Sequence, residues 1–548
     1  MSERLLAAVR AGDEATVRAI VEQNPDLASR NGALHAAVLA REPALVRILM
    51  ENGASARVGV YPHRDATSPF TIASERGYDD VVAVIREQEE RLRQSAARET
   101  GSTDMLFEAL RSGNDERVRA LVTADPGLAR TRHPGTGLTC LHVAAHTGQE
   151  GLAAWLLDRG ADIAGEARGM TPLDAAARGP PESFAAMAEV LLARGAVRTP
   201  LAAVALGETE WLRRAHADGA LADPLDDNGG LLTTAVRYGR TDLLGLLLDF
   251  GLDPDERVRL PELDGDEAVY TWGMPLWHAV RVRKHGMAEI LLDRGADPNA
   301  DVYASGTPMF MAYSGHTDWD LVALLRRYGG RVEPFIAGYF RQTDLARDML
   351  AAAVDKQSVA EELLDAASTG GDPEVVRLAL DHIDWPRDDP RWFAILEQPL
   401  RVWNHGNAPW ARHDWDRATY PRCLALVLER CDPNIRGRLE HKPPFGLTLL
   451  HSVAGSREHV TADERLRFAT MLLDAGARLE TRDHLLDSTP LGWACRWGRV
   501  ELVGLLLDRG ADPVEADAQP WATPLAWAEK MNHGAVVDLL RDRSADAT

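Results

Sequence analysis

Seven residues, Leu-Leu-Asp-Arg-Gly-Ala-Asp, occur letter for letter three times in this chain of 548 residues, at Leu156–Asp162, Leu291–Asp297 and Leu506–Asp512. A single globular core has no reason to write one heptapeptide three times, whereas an array of stacked modules does. A second landmark fixes the period. Thr-Pro-Leu stands at Thr171–Leu173, Thr199–Leu201, Thr489–Leu491 and Thr523–Leu525, with near-variants at Thr139–Leu141, Met274–Leu276 and Thr307–Met309. The last two copies of Thr-Pro-Leu start 34 residues apart, and 17 residues separate landmark from Leu-Leu-like pair at 139, 274, 307 and 489. A fixed internal spacing inside a period of roughly 33 residues marks a repeated helix pair.

The residue types fit that reading. Pro in the first turn loses no hydrogen bond, because that N–H has no partner inside the helix. Thr just before it can cap the helix. The pairs Ala144-Ala145 and Ala176-Ala177 let the first helix approach its neighbours closely, and Gly148, Gly239 and Gly498 permit a left-handed turn into the second. The Leu-Leu pair faces a core shared by adjacent units, and Gly160-Ala161-Asp162 with its two copies ends the second helix. One such unit cannot bury its apolar face alone, so stability comes from stacking.

The fullest copies are GLTCLHVAAHTGQEGLAAWLLDRGADI, Gly137–Ile163, and STPLGWACRWGRVELVGLLLDRGADP, Ser488–Pro513. In both, landmark, Ala pair or its variant, Gly turn, Leu-Leu pair and Gly-Ala-Asp follow in one order, and in this the sequence resembles the ankyrin repeat family. The expected fold is all-α, an ankyrin-like helical solenoid of about 15 or 16 units, some degenerate, with loop insertions. Residues 1–91 form N-terminal repeats with a polar cap, and 92–103 a charged linker or helix extension. Central repeats follow over 104–334, with a loop insertion at 257–272. Divergent repeats with a Trp-rich insertion cover 335–445, and capped C-terminal repeats 446–548. A smaller insertion lies near 456–464, where Thr448 to Leu472 is 24 residues instead of 17.

Composition narrows the function. No apolar run approaches the roughly 18–20 residues of a membrane span, so no membrane association is expected. The start, MSERLLAAVR, is charged at once and reads as no secretory signal. Four cysteines do not make a disulfide framework, and a cytoplasmic setting is the simplest. The net charge of −22 argues against nucleic acid and would suit a basic protein as partner. The sequence lacks the phosphate-binding loop, the dinucleotide fingerprint, the His-Glu-x-x-His helix and the Gly-x-Ser-x-Gly elbow. No cofactor and no metal are expected. His413, Cys423, Cys431 and His441 lack the paired short intervals of a structural zinc site, and all four cysteines have a packing explanation.

Two places remain as candidate sites. The stretch 400–422 gathers Trp403, His405, Trp410, His413, Asp414, Trp415 and Tyr420. It reads as packing, as an aromatic partner contact, or as a pocket in which His405, His413 and Asp414 do acid–base work. The second place comes from the resemblance, which implies partner binding on the concave face. There the two positions after the Ala pair point into the groove: Arg10, Arg111, His146, Arg178, Arg237-Tyr238, Arg281, Arg496-Trp497 and Lys530. The resemblance also implies that the landmark histidines His35, His142 and His451 are structural.

The expectation is therefore a non-enzymatic protein–protein interaction scaffold, using concave face and insertion loops. Its partner-binding candidates are Arg237, Tyr238, Arg281, Arg496, Trp497, Trp403, Trp410 and Trp415, and neutralising a basic protein is the sharper form. The alternative is an enzyme or small-ligand-binding protein with its site at 400–422.

Overall fold

The computed structural model describes residues 2–546 apart from 25, 30–31, 60–67, 100, 134–135, 168, 222–229, 260–268, 304, 402–416, 437–445 and 457–459. Described residues form sixteen helix pairs, from Ser2–Arg10 with Glu14–Gln23 to Pro524–Lys530 with Gly534–Asp546. The all-α repeat expected from the spacing is what the chain forms. The only strands among the described residues are Val258–Arg259 and Tyr270–Thr271, paired antiparallel at the two ends of the 257–272 insertion.

By internal contacts the chain divides into two compact units. One comprises Ser95–Val332 and holds seven pairs, from Gly101–Arg111 with Asp115–Ala124 to Pro308–Tyr313 with Trp319–Arg327. The other joins residues 1–94 to Glu333–Thr548. The division falls inside the helix Asp79–Glu99, which runs through most of the charged stretch after residue 87.

Local chemistry explains the pairs. Thr139, Thr171, Thr307, Thr489 and Thr523 each precede a first helix, and each side chain accepts the N–H three residues on. At Thr139 and Thr448 the cap is reciprocal. Thr139 N–H donates to His142 Nδ1 at 3.3 Å, so that nitrogen carries no proton, and Nε2–H donates onward to Met170 O in the next finger at 3.1 Å. His451 repeats the arrangement with Thr448 N–H and Ser488 O, at 3.0 Å each. Burial lowers the pKa of both rings. Their links between fingers give the landmark histidine its place in the stack.

The turn between helices needs a left-handed residue. Gly148, Gly239 and Gly498 supply it at φ 71°, 64° and 64°. Arg283 and Arg341 occupy the same kind of turn at φ 57° and 56°, where a side chain costs roughly 1–2 kcal/mol. Both offset it by bracing the next repeat. Arg283 donates to Ala312 O, Ser314 O and His316 O, and Arg341 to Gly370 O at 2.7 Å.

First helices pack on each other more closely than second helices do, because their facing residues are small. At Gly179 the approach is limiting, since an added Cβ would press directly on His146 O of the preceding repeat. A Gly179→Ala variant should lose about 3 kcal/mol in denaturant unfolding, the upper end for overpacking, because the obstacle is backbone and cannot rotate away. The fully buried Trp392, Trp493 and Trp527 lie in the core of the unit that includes the C-terminal repeats.

Candidate interaction face

In the unit Ser95–Val332 the first helices form an unbroken row, each packed on the next from Gly101–Arg111 to Pro308–Tyr313. The position seven residues after each landmark falls at the end of the first helix. In four repeats it holds His146, Arg178, Arg237 and Arg281, and after Thr199 and Thr307 it holds Leu206 and Ser314. Tyr238 reaches past the helix Pro200–Leu206, and its hydroxyl donates to Ala177 O at 2.9 Å. Arg237 makes the same crossing, donating to Arg178 O at 3.0 Å and Gly179 O at 2.9 Å. Leu201 to Ala205 present only Ala, Val and Leu, which is what lets longer side chains pass. Arg237 and Tyr238 are thus half-buried braces spanning three repeats, not freely exposed groove residues.

Arg281 is exposed, with its guanidinium 5.2 Å from the centroid of the Trp277 ring. Trp277 stands at the landmark histidine slot and does the histidine's task, its Nε1–H donating to Ser305 O at 3.2 Å. Beside it lies His278. Burial pushes this imidazole down to about 3, and the charges of Arg281 and Arg237 act in the same direction. Sequence reasoning passed over His278, although it sits one residue beyond the landmark slot and three before Arg281.

The other unit treats the equivalent positions differently. Arg496 is only 3% exposed, and its guanidinium donates to Glu75 Oε1 at 2.7 Å, a residue 421 positions away in sequence. Lys530 donates to Glu75 O at 2.7 Å, and Arg76 bonds to Leu485 O with its guanidinium 4.6 Å from the Trp521 ring. Trp497 lies 5.7 Å from Arg496 and is partly buried. The cations expected to meet a partner here meet this chain's third repeat instead. Its signal was legible: Glu75 is the seventh residue after Ser68, so an acid fills the slot where other repeats carry Arg.

Trp403, Trp410, Trp415, His405, His413 and Asp414, with His441 of the zinc set, lie outside the described residues. Cys140, Cys423, Cys431 and Cys495 are all buried and unpaired to one another. Burial pushes the Cys140 thiol up to about 11, and those of Cys423 and Cys431 to about 12; Cys495 moves the same way. Such thiols are poor nucleophiles. Titration of the native protein with an aromatic disulfide reagent near neutral pH should find no fast-reacting cysteine, and all four after denaturation. His285, Asp318 and Asp320 come within 4.8 Å of one another. Asp318 Oδ1 already accepts from His285 and from Leu321 N, and Arg283 lies 3.8 Å from its other oxygen, so the carboxylate is satisfied and a cation is opposed. Among the described residues no helix is long and apolar enough to cross a membrane.

Residues 106–200 match the family described as ankyrin repeats in three copies, and residues 487–518 match a single ankyrin repeat. The chain thus carries ankyrin repeats in these two segments. Among solved structures, the crystal structure of the human ASB11 ankyrin repeat domain is similar at 22% identity, covering 41% of this chain and 98% of that one, with a TM-score of 0.24. No curated protein matches the chain. Ankyrin repeats are generally protein–protein interaction modules.

Proposed function

We propose that the protein is a non-catalytic scaffold that holds another protein against the first-helix face of residues 101–332. The observation that carries this reading is the unbroken row of seven first helices, which ends on one side in the exposed His146 and Arg281 and the half-buried Arg237 and Tyr238. A face built from helix ends and braced by backbone hydrogen bonds is pre-organised, so a partner loses little free energy in ordering it. The test is photo-crosslinking in the native cell, with the reactive residue placed at Arg281 on the face or at Glu289 on a second helix. Protein adducts from position 281 and none from 289 are expected. Adducts from 289 alone, or none from 281, would refute the reading.

A further inference from the structure

We infer that Trp277, His278 and Arg281, backed by Arg237, form a slot for the carboxylates of an acidic segment of a partner protein; this rests on the reading that the first-helix face holds a protein. The slot is built by two helices in direct contact, Leu231–Arg237 and Met274–Arg281, whose last residues occupy the same repeat position. That places Arg237 and Arg281 at one repeat position on neighbouring helices, close enough for the charge of Arg281 to act on Arg237.

Among the described residues no carboxylate answers their charge. Arg237 bonds to two carbonyl oxygens, which satisfy its donors but carry no net charge. Among the described residues neither Arg237 nor Arg281 forms an ion pair with a carboxylate, while several arginines on the second-helix side of the same unit do. There Arg294 meets Asp249 at 2.8 Å, Arg327 meets Glu289 at 2.5 Å, and Arg194 meets Asp158 at 3.6 Å. In each case the carboxylate comes from the preceding repeat. Burial lowers the Arg237 pKa and the like-charged Arg281 acts in the same direction against Tyr238, on which Glu182 also acts.

The His278 ring reports the same field, being held neutral by burial and by both cations. A half-buried cationic site of this kind favours an anion that brings its own charge and little bulk, and the Trp277 ring beside Arg281 suits the apolar stem of a Glu side chain. Two unpaired cations in an otherwise acidic field are too few for a phosphate backbone, whose affinity comes from many contacts at once.

The test uses the full chain as bait for a random dodecapeptide display library at low salt, followed by fluorescence anisotropy with the enriched peptides. These should be rich in Asp and Glu and bind more weakly as salt rises. Arg281→Glu should weaken them at least about tenfold with unchanged melting, and Arg281→Lys should retain part of the affinity. The His278 ring should move toward its ordinary range on binding, read by proton NMR. Enriched peptides without acidic residues, acidic peptides indifferent to Arg281→Glu, or no enrichment at all would overturn the slot. A single-stranded oligonucleotide binding with the same Arg281 dependence would overturn the choice of an acidic peptide. A cross-linker at His146, exposed on the same face but outside the slot, judges the wider face without altering Arg281, so the two readings fail separately.

Discussion

Replacing Arg496 by alanine should cost the unit that holds it about 3–5 kcal/mol, among the largest effects of any single substitution in the chain. Arg496 and Glu75 are both buried, and the 2.7 Å contact joins repeats from opposite ends of the sequence. Truncating one partner leaves the other as an uncompensated charge in a low-dielectric site. The pair itself is a poor net stabiliser. Burial raises the Glu75 carboxyl above its usual range even though Arg496 and Lys530 both pull it down. A joint Glu75→Leu and Arg496→Met replacement should therefore unfold within about 1 kcal/mol of the native protein.

The sign of the pH effect follows. A carboxyl whose folded pKa is raised contributes stability below its unfolded pKa, and that contribution is lost as pH rises through the folded value. Without Arg496 the shift is larger, so the loss in Arg496→Ala should be greater near pH 8 than near pH 5. Fluorescence of the buried Trp493 and Trp527 in denaturant reads both effects. An Arg496→Ala variant as stable as the native protein at both pH values would show that the pair is not formed.

The second large effect is expected at Glu256. The repeat of Leu231–Arg237 lacks the landmark threonine; its N-cap is Gly230, which has no side chain to offer. Glu256, 1% exposed and held at a φ of 25°, supplies the cap from the following finger. Its Oε1 accepts Leu232 N at 2.5 Å, and its Oε2 accepts Gly230 N at 3.1 Å, Thr233 N at 2.9 Å and Thr233 Oγ1 at 2.6 Å. Four donors on one carboxylate at a helix N-terminus combine charge-assisted bonding with the favourable end of the helix dipole. Glu256→Ala should cost about 3–5 kcal/mol, and Glu256→Gln about 2, since the amide turns a donor toward donors. Urea unfolding of the full chain measures both. A Gln variant no weaker than native would mean that the carboxylate charge does not act as the cap.

Much of the fold was legible because it is written in short-range chemistry. A threonine caps the helix it precedes, a glycine turns the chain where it stands, and a leucine pair repeats with the module. The site was legible only in part. Arg237, Arg281 and Arg496 share one repeat position, but what each meets there depends on the size of neighbouring residues and on contacts across hundreds of residues. Arg237 and Tyr238 cross an intervening repeat because Pro200–Leu206 is small. Arg496 is met by Glu75 because the two terminal segments share one unit. Spacing within a module carries neither fact. Glu256 was missed for a related reason. It compensates for an absent landmark, and compensation is visible only once the missing cap is sought.

Hydrogen exchange of the full chain, free and bound to whatever protein cross-links at position 281, tests the account most directly. It predicts slowed exchange at the ends of the first helices, over 175–179, 234–239 and 278–282, with the second helices Thr241–Asp249 and His285–Asp293 unchanged. Protection confined to those second helices, with the first-helix ends exchanging as in the free protein, would contradict it.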